Sequence, residues 1–221
     1  MIKPIKEMLL DLVYPPYHPC PHCFETDIAI KGETGSLCPS CFKSFPFLRK
    51  EENPPNVQAL AHYHGAAQSL VHRLKYKEAL YLAKPMANLM LQHLEPKGSS
   101  LVIPVPMHQR RQRQRGYNQA ERLARHIARM VELECETNAM IRNRETEPMY
   151  RLNRLQRIQN MWNSITVRET ERYRIRNQKI LLVDDVYTTG ATAQACIRSL
   201  KEAGAEGVTV ITFALADITP S

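Results

Sequence analysis

The sequence has no long hydrophobic run. Nowhere in its 221 residues is there an apolar stretch of about 18 residues, the length that a membrane-spanning helix needs. It also has no charged start followed by an apolar segment and a small-residue cleavage site, so we expect neither a membrane span nor a secretory signal. We therefore expect a cytoplasmic protein, whose thiols stay reduced.

Lysine and aspartate are both missing from the stretch between His108 and Arg176. This stretch contains 16 arginines and eight glutamates, and it carries the whole net charge of the chain, +8. Arginine makes planar, bidentate contacts with phosphates that lysine cannot make. The composition therefore favours a polyanionic partner, either nucleic acid or pyrophosphate, and the alternative is a solvated basic face without a partner. Aromatic residues are few in this stretch, so the sequence does not separate DNA from RNA.

Four cysteines form two Cys-x-x-Cys pairs, Cys20 with Cys23 and Cys38 with Cys41. Each pair can supply two thiolates from one tight turn, and the two turns together match the tetrahedral coordination of Zn²⁺. Two disulfides or a redox pair are the alternatives, and a reducing cytosol counts against both. Four sulfurs leave no open coordination position, so we predict a structural zinc site that needs no histidine ligand.

The rest of the chain has the pattern of a parallel α/β sheet. Short apolar strands alternate with helical segments, and in such sheets ligands bind at the carboxyl ends of the strands. We predict strands at 57–63, 101–105, 135–141, 180–183 and 208–213, and helices at 65–76, 78–94, 152–162 and 191–203, with another helix that begins at 116. The charged, proline-rich segment 51–56 predicts a linker between a zinc-binding domain at 1–50 and the α/β domain at 57–221.

The segment from Lys179 to Thr192 combines a buried strand, two carboxylates and a small turn. Four apolar residues precede Asp184 and Asp185, which can accept hydrogen bonds from sugar hydroxyls or orient the waters of Mg²⁺. The following turn brings backbone N–H groups to a helix N-terminus, which suits a phosphate. The pattern favours a ribose 5-phosphate site, and the alternative is a buried strand whose acidic turn caps a helix. The turn residues are Thr188, Thr189, Gly190, Ala191 and Thr192.

Residues 180–192 resemble the phosphoribosyl-pyrophosphate loop of type I phosphoribosyltransferases, which has an apolar strand, two acidic residues and a Thr-Thr-Gly-x-Thr turn. The Arg-Gly-Tyr-Asn-Gln run at 115–119, after a Pro-Val-Pro strand end, is similar to the signature of the ComF family of competence proteins. Arg157 and Asn160 match a further Arg-x-x-Asn of that family. The resemblance covers essentially the whole chain and implies a type I phosphoribosyltransferase-like domain preceded by a small four-cysteine, zinc-ribbon-like domain.

The resemblance also implies the ligands. Residues 184–192 would bind the ribose and 5′-phosphate of phosphoribosyl pyrophosphate, together with Mg²⁺. A polar loop at 142–149 would close over the diphosphate and exclude water, although Met149 stands where relatives usually carry glutamine. The residues assigned to pyrophosphate or to a nucleic-acid backbone are Met107, His108, Arg110, Arg113, Arg115 and Arg157.

Three functions of different classes remain open. We favour a DNA-uptake factor of natural transformation that binds single-stranded DNA and phosphoribosyl pyrophosphate, has a DNA-uptake helicase as partner and meets the inner membrane only through partners. The alternatives are an active phosphoribosyltransferase with an unidentified acceptor, and a catalytically silent module that senses phosphoribosyl pyrophosphate. Many relatives that act on nucleobases place a carboxylate near the loop, whereas this chain has Thr188, so no catalytic base is visible.

Overall fold

The computed structural model describes residues 20–24, 37–96, 98–142 and 164–216. The strands described are β1 (Val57–His62), β2 (Leu101–Pro104), β3 (Glu134–Cys135), β4 (Met140–Arg142), β5 (Ile165–Val167), β6 (Lys179–Tyr187) and β7 (Gly207–Leu215). Five of them form a parallel sheet in the order β1-β7-β6-β2-β3, whereas β4 and β5 form a separate antiparallel pair. The predicted fold class, an α/β protein with a central parallel sheet, is confirmed.

The α-helices of the described residues are α1 (Pro39–Lys43), α2 (Gly65–Arg73), α3 (Ala83–His93), α4 (Gln109–Arg115), α5 (Gln119–Met130), α6 (Arg172–Ile175) and α7 (Ala191–Glu202). Short 3₁₀ turns at Lys50–Glu52, Lys77–Leu82 and Glu169–Glu171 join some of them. No helix in these parts of the chain has the length and apolar character that crossing a bilayer requires.

The central strand β6 is buried on both faces, as its apolar run predicts. Leu181 and Val183 face a core that also contains side chains of α2, α3 and α5, while Ile180 and Leu182 face a second core beneath α7. All four side chains are almost inaccessible to solvent. Burial of one such side chain stabilises a fold by about 1.5–3 kcal/mol. These two cores hold the apolar half of β6 in place, and with it Asp184 and Asp185, which follow in the same strand.

The prediction of one helix over 78–94 is wrong. A 3₁₀ segment, Lys77–Leu82, precedes α3, and Ala79 within that segment has a non-helical backbone (φ −108°, ψ 16°). Proline explains where α3 begins. Inside a continuous helix the ring of Pro85 would clash with the carbonyl group four residues earlier, whereas in the first turn its missing N–H needs no intrahelical partner.

The prediction of one strand over 135–141 is also wrong. Cys135 pairs in parallel with Val102 of β2, but Met140 pairs in an antiparallel manner with Val167 of β5. A bend separates the two strands, because the Glu136 carboxylate accepts a hydrogen bond from the backbone N–H of Asn138 (3.3 Å). This local turn directs β4 away from the parallel sheet and toward α7.

The cysteine-containing segment packs against the edge of the parallel sheet. The backbone N–H of Leu48 donates to Leu60 of β1 (2.9 Å), and that of His62 donates to Pro46 (2.9 Å). The ring of Phe45 meets Phe213 of β7 edge-on, with centroids 6.1 Å apart. The division into domains at 1–50 and 57–221 stays a prediction. The predicted helix at 152–162 and residues 143–149 of the predicted closing loop lie outside the described residues.

Candidate functional site

A cleft lies at the carboxyl edge of the parallel sheet, because β2 ends before its neighbours β6 and β7 do. The ladder between β2 and β6 ends with Val105, whose N–H donates to the Val183 carbonyl (2.9 Å), whereas β6 and β7 stay paired as far as Tyr187 and Leu215. Prolines at 104 and 106 lack the N–H that an interior strand donates, which favours the early end of β2. Asp184 and Asp185 therefore lack a β2 residue opposite them and border an open space at the carboxyl edge of the sheet.

A cavity of about 330 Å³ occupies that space, which falls in the size range of small-molecule sites. Seven residues that the sequence assigned to the site line it: Met107, His108, Arg115, Asp184, Asp185, Thr188 and Thr192. Five assigned residues are not among the lining: Arg110, Arg113, Thr189, Gly190 and Ala191. The residues of the lining that the sequence did not assign are three apolar ones, Val105, Pro106 and Val186, and six polar or charged ones, Tyr63, Lys75, Arg111, Asn118, Gln119 and Arg142. The assigned Arg157 lies outside the described residues.

Each of the two carboxylates of the cavity accepts a hydrogen bond from the backbone N–H of the next residue. Asp184 accepts a hydrogen bond from the N–H of Asp185 (2.9 Å), and Asp185 accepts one from the N–H of Val186 (3.0 Å). Desolvation raises the pKa of Asp184 well above its usual range. The negative charge of Asp185 raises this pKa further, whereas the positive charge of Arg142 lowers it. A bound cation would reverse the shift, because it favours the charged carboxylate. The pair is thus suited to a hydrated Mg²⁺ or to sugar hydroxyls.

The turn after β6 depends on a glycine. Gly190 has a left-handed backbone (φ 77°), and a Cβ atom there would collide with the ring of Tyr187. The turn leads directly into α7, whose first N–H groups have no partners within the helix. Thr188 and Thr192 lie in the cavity wall at the two sides of the turn. Hydroxyl groups beside the N–H groups of a helix N-terminus are suited to a phosphate.

The arginine-rich stretch after β2 forms a helix, α4, that the sequence interpretation missed. His108 caps it by accepting a hydrogen bond from the N–H of Arg110 (3.2 Å), and Gly116 ends it with a left-handed backbone (φ 85°). Arg111 and Arg115 are four residues apart, so they lie on one face of α4 and line the cavity. Arg110 and Arg113 are exposed on other sides of α4. The four-residue spacing of Arg111 and Arg115 was the signal in the sequence that could have distinguished this pair from Arg110 and Arg113.

Tyr117 and Asn118, within the 115–119 run, have structural roles. The Tyr117 hydroxyl donates to the Leu74 carbonyl (2.6 Å), next to Lys75 in the cavity wall. The Asn118 side chain donates to the Val105 carbonyl (2.9 Å) and accepts from the N–H of Ala120 (3.1 Å), so it joins the end of β2 to the start of α5. These bonds fix the wall of the cavity opposite the carboxylates.

Arg142 reaches the cavity from the antiparallel pair. Its strand, β4, pairs with β5, which is joined to α7 by a hydrogen bond from the Val167 N–H to the Ser199 hydroxyl (2.9 Å). Burial lowers the pKa of Arg142, and the nearby Arg111 lowers it further, whereas Asp184 raises it. No signal in the sequence indicated this residue beyond its place at the start of the predicted loop, because only the packing of β4 and β5 on α7 brings it to the carboxylates.

A second candidate site is the cysteine cluster. One sulfur from each of Cys20, Cys23, Cys38 and Cys41 lies within 4.8 Å of the others, and all four are free thiols. The Cys23 and Cys38 sulfurs are 3.7 Å apart, close to the separation of about 3.8 Å that follows from tetrahedral geometry with Zn–S bonds of about 2.3 Å. The donor set and its spacing fit a closed zinc site.

Backbone N–H groups favour the thiolate of Cys20, whereas burial and the neighbouring thiols raise the pKa of Cys41. Burial opposes ionisation of Cys20, but N–H groups of Cys38, Cys23 and His22 lower its pKa to about 7. Arg73 of α2 holds the first cysteine turn against the α/β domain, because its guanidinium donates to the Pro21 carbonyl (2.6 Å) and lies over the Phe24 ring (4.1 Å). A zinc ion there would hold the two turns together and so stabilise the edge of the sheet.

Residues 85–218 match the model of a family described as the phosphoribosyl transferase domain. The chain belongs to this family. The match begins in α3 and includes β2, α4, β6 and α7, and therefore most of the elements that form the cavity.

The chain is also similar in sequence to three curated relatives. The chain is 26% identical to competence protein F of Haemophilus influenzae over 86% of this chain and 94% of that protein. It is 28% identical to DNA utilization protein YhgH of Escherichia coli over 79% of this chain and 82% of that one, and 27% identical to competence protein ComFC of Streptococcus pneumoniae over 86% and 77%. The resemblance to the ComF family is confirmed.

Proposed function

We propose that this ComF-family chain acts in DNA uptake during natural transformation, where it binds phosphoribosyl pyrophosphate with Mg²⁺ and single-stranded DNA. The observation that carries the proposal is the lining of one cavity, which combines two carboxylates, a turn with threonine side chains and two arginines of α4. The relatives named for competence and for DNA utilization support the DNA-uptake part. The proposal includes a cytoplasmic location and a DNA-uptake helicase as partner.

Each part of the ligand has a complementary group in the cavity. Asp184 and Asp185 would accept hydrogen bonds from ribose hydroxyls and orient the waters of Mg²⁺. Thr188, Thr192 and the N-terminus of α7 would bind the 5′-phosphate. Arg111 and Arg115 would bind the diphosphate, for which guanidinium groups are well suited.

Calorimetry with phosphoribosyl pyrophosphate and Mg²⁺ tests the small-molecule part. We expect the full-length protein to bind, and the double variant Asp184→Asn, Asp185→Asn to lose binding while it keeps its circular dichroism spectrum. The substitutions keep the size of both side chains, remove their charge and replace one acceptor oxygen of each with an NH₂ donor. An unaltered binding isotherm for the variant would remove the carboxylates from the site.

The outer arginines of α4 are our candidates for the DNA backbone, because Arg110 and Arg113 are exposed and outside the cavity lining. For single strands, each phosphate contact contributes about −0.7 to the slope of log affinity against log salt concentration. Arg110→Gln with Arg113→Gln should therefore weaken binding to a single-stranded oligonucleotide and flatten this slope by about 1.4. A slope equal to that of the wild type would refute the assignment.

A second candidate function is an active phosphoribosyltransferase, which the match to a transferase domain favours. Incubation with phosphoribosyl pyrophosphate, Mg²⁺ and mixed nucleobases, followed by measurement of pyrophosphate release, distinguishes the two. Release that the carboxylate double variant lacks would favour the enzyme. Tight oligonucleotide binding without release would favour the uptake factor, and tight phosphoribosyl pyrophosphate binding with neither would favour a silent sensor.

A further inference from the structure

The side chain of Gln119 is an anomaly in the cavity wall. Gln119 is the first residue of α5 and only 1% exposed. Neither its Nε2 nor its Oε1 has a hydrogen-bond partner among the residues that the structure describes. A buried amide without partners is unfavourable, because it loses its hydrogen bonds to water and gains none in return.

Among the residues that the structure describes, no hydrogen bond gives Gln119 a structural role that requires an amide. Its neighbour Asn118 already caps α5 and ties it to the end of β2, with both ends of its own amide in use. A methionine or leucine at 119 would fill the same space without an unpaired polar group. The amide is therefore explained better by a ligand in the adjoining cavity than by the fold.

The unpaired atoms indicate the chemistry of that ligand. Gln119 has one donor and one acceptor side by side, and this holds whichever way the amide is oriented. A phosphate only accepts hydrogen bonds, so it would leave Oε1 unpaired, and Arg111 and Arg115 already supply donors for phosphates in this cavity. The edge of a nucleobase offers a donor beside an acceptor, and glutamine pairs with adenine in this bidentate manner.

We propose that Gln119 binds the edge of an unpaired nucleobase in the cavity formed by β6, α4 and the start of α5. The amide has almost no contact with solvent, so it meets the base through a small rotation of its side chain into the cavity. The base is either a free nucleobase or a base of single-stranded DNA, since both present the same edge. The inference deepens the proposed function, because the ribose-phosphate groups would fill the rest of the same cavity.

Titration of the full-length protein with adenine, guanine, cytosine and thymine tests the inference, with and without phosphoribosyl pyrophosphate and Mg²⁺. A parallel titration compares a short single-stranded oligonucleotide with an abasic oligonucleotide of the same length. The variants are Gln119→Met, which removes the amide, and Gln119→Glu, which keeps the shape and replaces the donor. Gln114→Met, on the exposed side of α4, is the matched control.

We expect at least one base, free or in the oligonucleotide, to bind at least about tenfold more weakly to both Gln119 variants than to the wild type. In Gln119→Met, binding of phosphoribosyl pyrophosphate alone should change less than about twofold, and the melting temperature should equal or exceed that of the wild type, because an unpaired buried amide is removed. The control should match the wild type in all three measurements.

Two results would overturn the inference. One is base affinity that is the same in the wild type and both variants, whatever happens to the melting temperature. The other is a wild type that binds phosphoribosyl pyrophosphate but no free base and does not distinguish the oligonucleotide from its abasic form, in which case the proposed function stands. Loss of phosphoribosyl pyrophosphate binding in the wild type, with base binding that depends on Gln119, would refute the proposed function and leave the inference intact.

Discussion

The two faces of α4 should have separable effects on the binding of phosphoribosyl pyrophosphate. One double variant, Arg111→Gln with Arg115→Gln, removes two charges that line the cavity. A second, Arg110→Gln with Arg113→Gln, removes two charges from the exposed sides of the same helix. Both lower the net charge by the same amount, so a difference between them reports contact with the ligand.

The expected magnitudes differ widely. Each hydrogen bond to a charged group contributes about 1.5–3 kcal/mol, so loss of the inner pair should cost about 3–6 kcal/mol, or about 100-fold to 20,000-fold in affinity. At about 10 Å in water, one pair of charges interacts by about 0.4 kcal/mol before salt reduces it. The outer pair should therefore cost less than about 1 kcal/mol, or about fivefold.

Calorimetry of both double variants with phosphoribosyl pyrophosphate and Mg²⁺, at physiological ionic strength, measures this difference. Circular dichroism checks that α4 is retained in each, since glutamine has a helix propensity close to that of arginine. Equal losses of affinity in the two variants would refute the reasoning, because they would show that total charge matters and the orientation of α4 does not.

Asp184→Asn should raise the melting temperature of the ligand-free protein at pH 7–8. The pKa of Asp184 is raised in the folded state, so its ionisation destabilises the fold as the pH increases through the interval between its usual and its raised pKa, and asparagine avoids this loss. The gain should disappear as the pH falls toward about 4, and a gain that does not depend on pH would contradict the assignment. Removal of zinc should destabilise the segment that holds Phe45 against Phe213, because structural zinc contributes about 10–16 kcal/mol, comparable to the stability of a whole domain. A strong chelator, or Cys41→Ser, should lower the melting temperature and expose residues 37–48 to limited proteolysis. A zinc content near zero in purified, reduced protein would end the zinc prediction.

Local signals in the sequence were sufficient where the chemistry lies within a few consecutive residues. The two Cys-x-x-Cys turns predicted four ligands, and the described structure brings their sulfurs within 4.8 Å. The apolar run before Asp184 predicted a strand buried on both faces, and β6 is such a strand. These predictions succeeded because ligand spacing in a tight turn and an uninterrupted apolar run are properties of short segments.

The predictions that failed depended on contacts between distant segments. Cys135 and Met140 are close in sequence, yet their strands pair with different partners, which the residues between them did not indicate. The assignment of Arg113 and Arg115 to a phosphate stays a prediction, although the turn of α4 places only Arg115 in the cavity lining.

The sequence alone determined the family resemblance, the cysteine cluster, and the strand and turn that carry the carboxylates. Only the tertiary structure decided which positively charged side chains line the cavity beside those carboxylates. It also left the Gln119 amide without a partner among the described residues. The physical reason is that the cavity is a product of strand register and packing. It opens where β2 ends earlier than β6, and its walls come from Tyr63, Arg142 and α4, which are far apart in the chain and are brought together only by the sheet and its two cores.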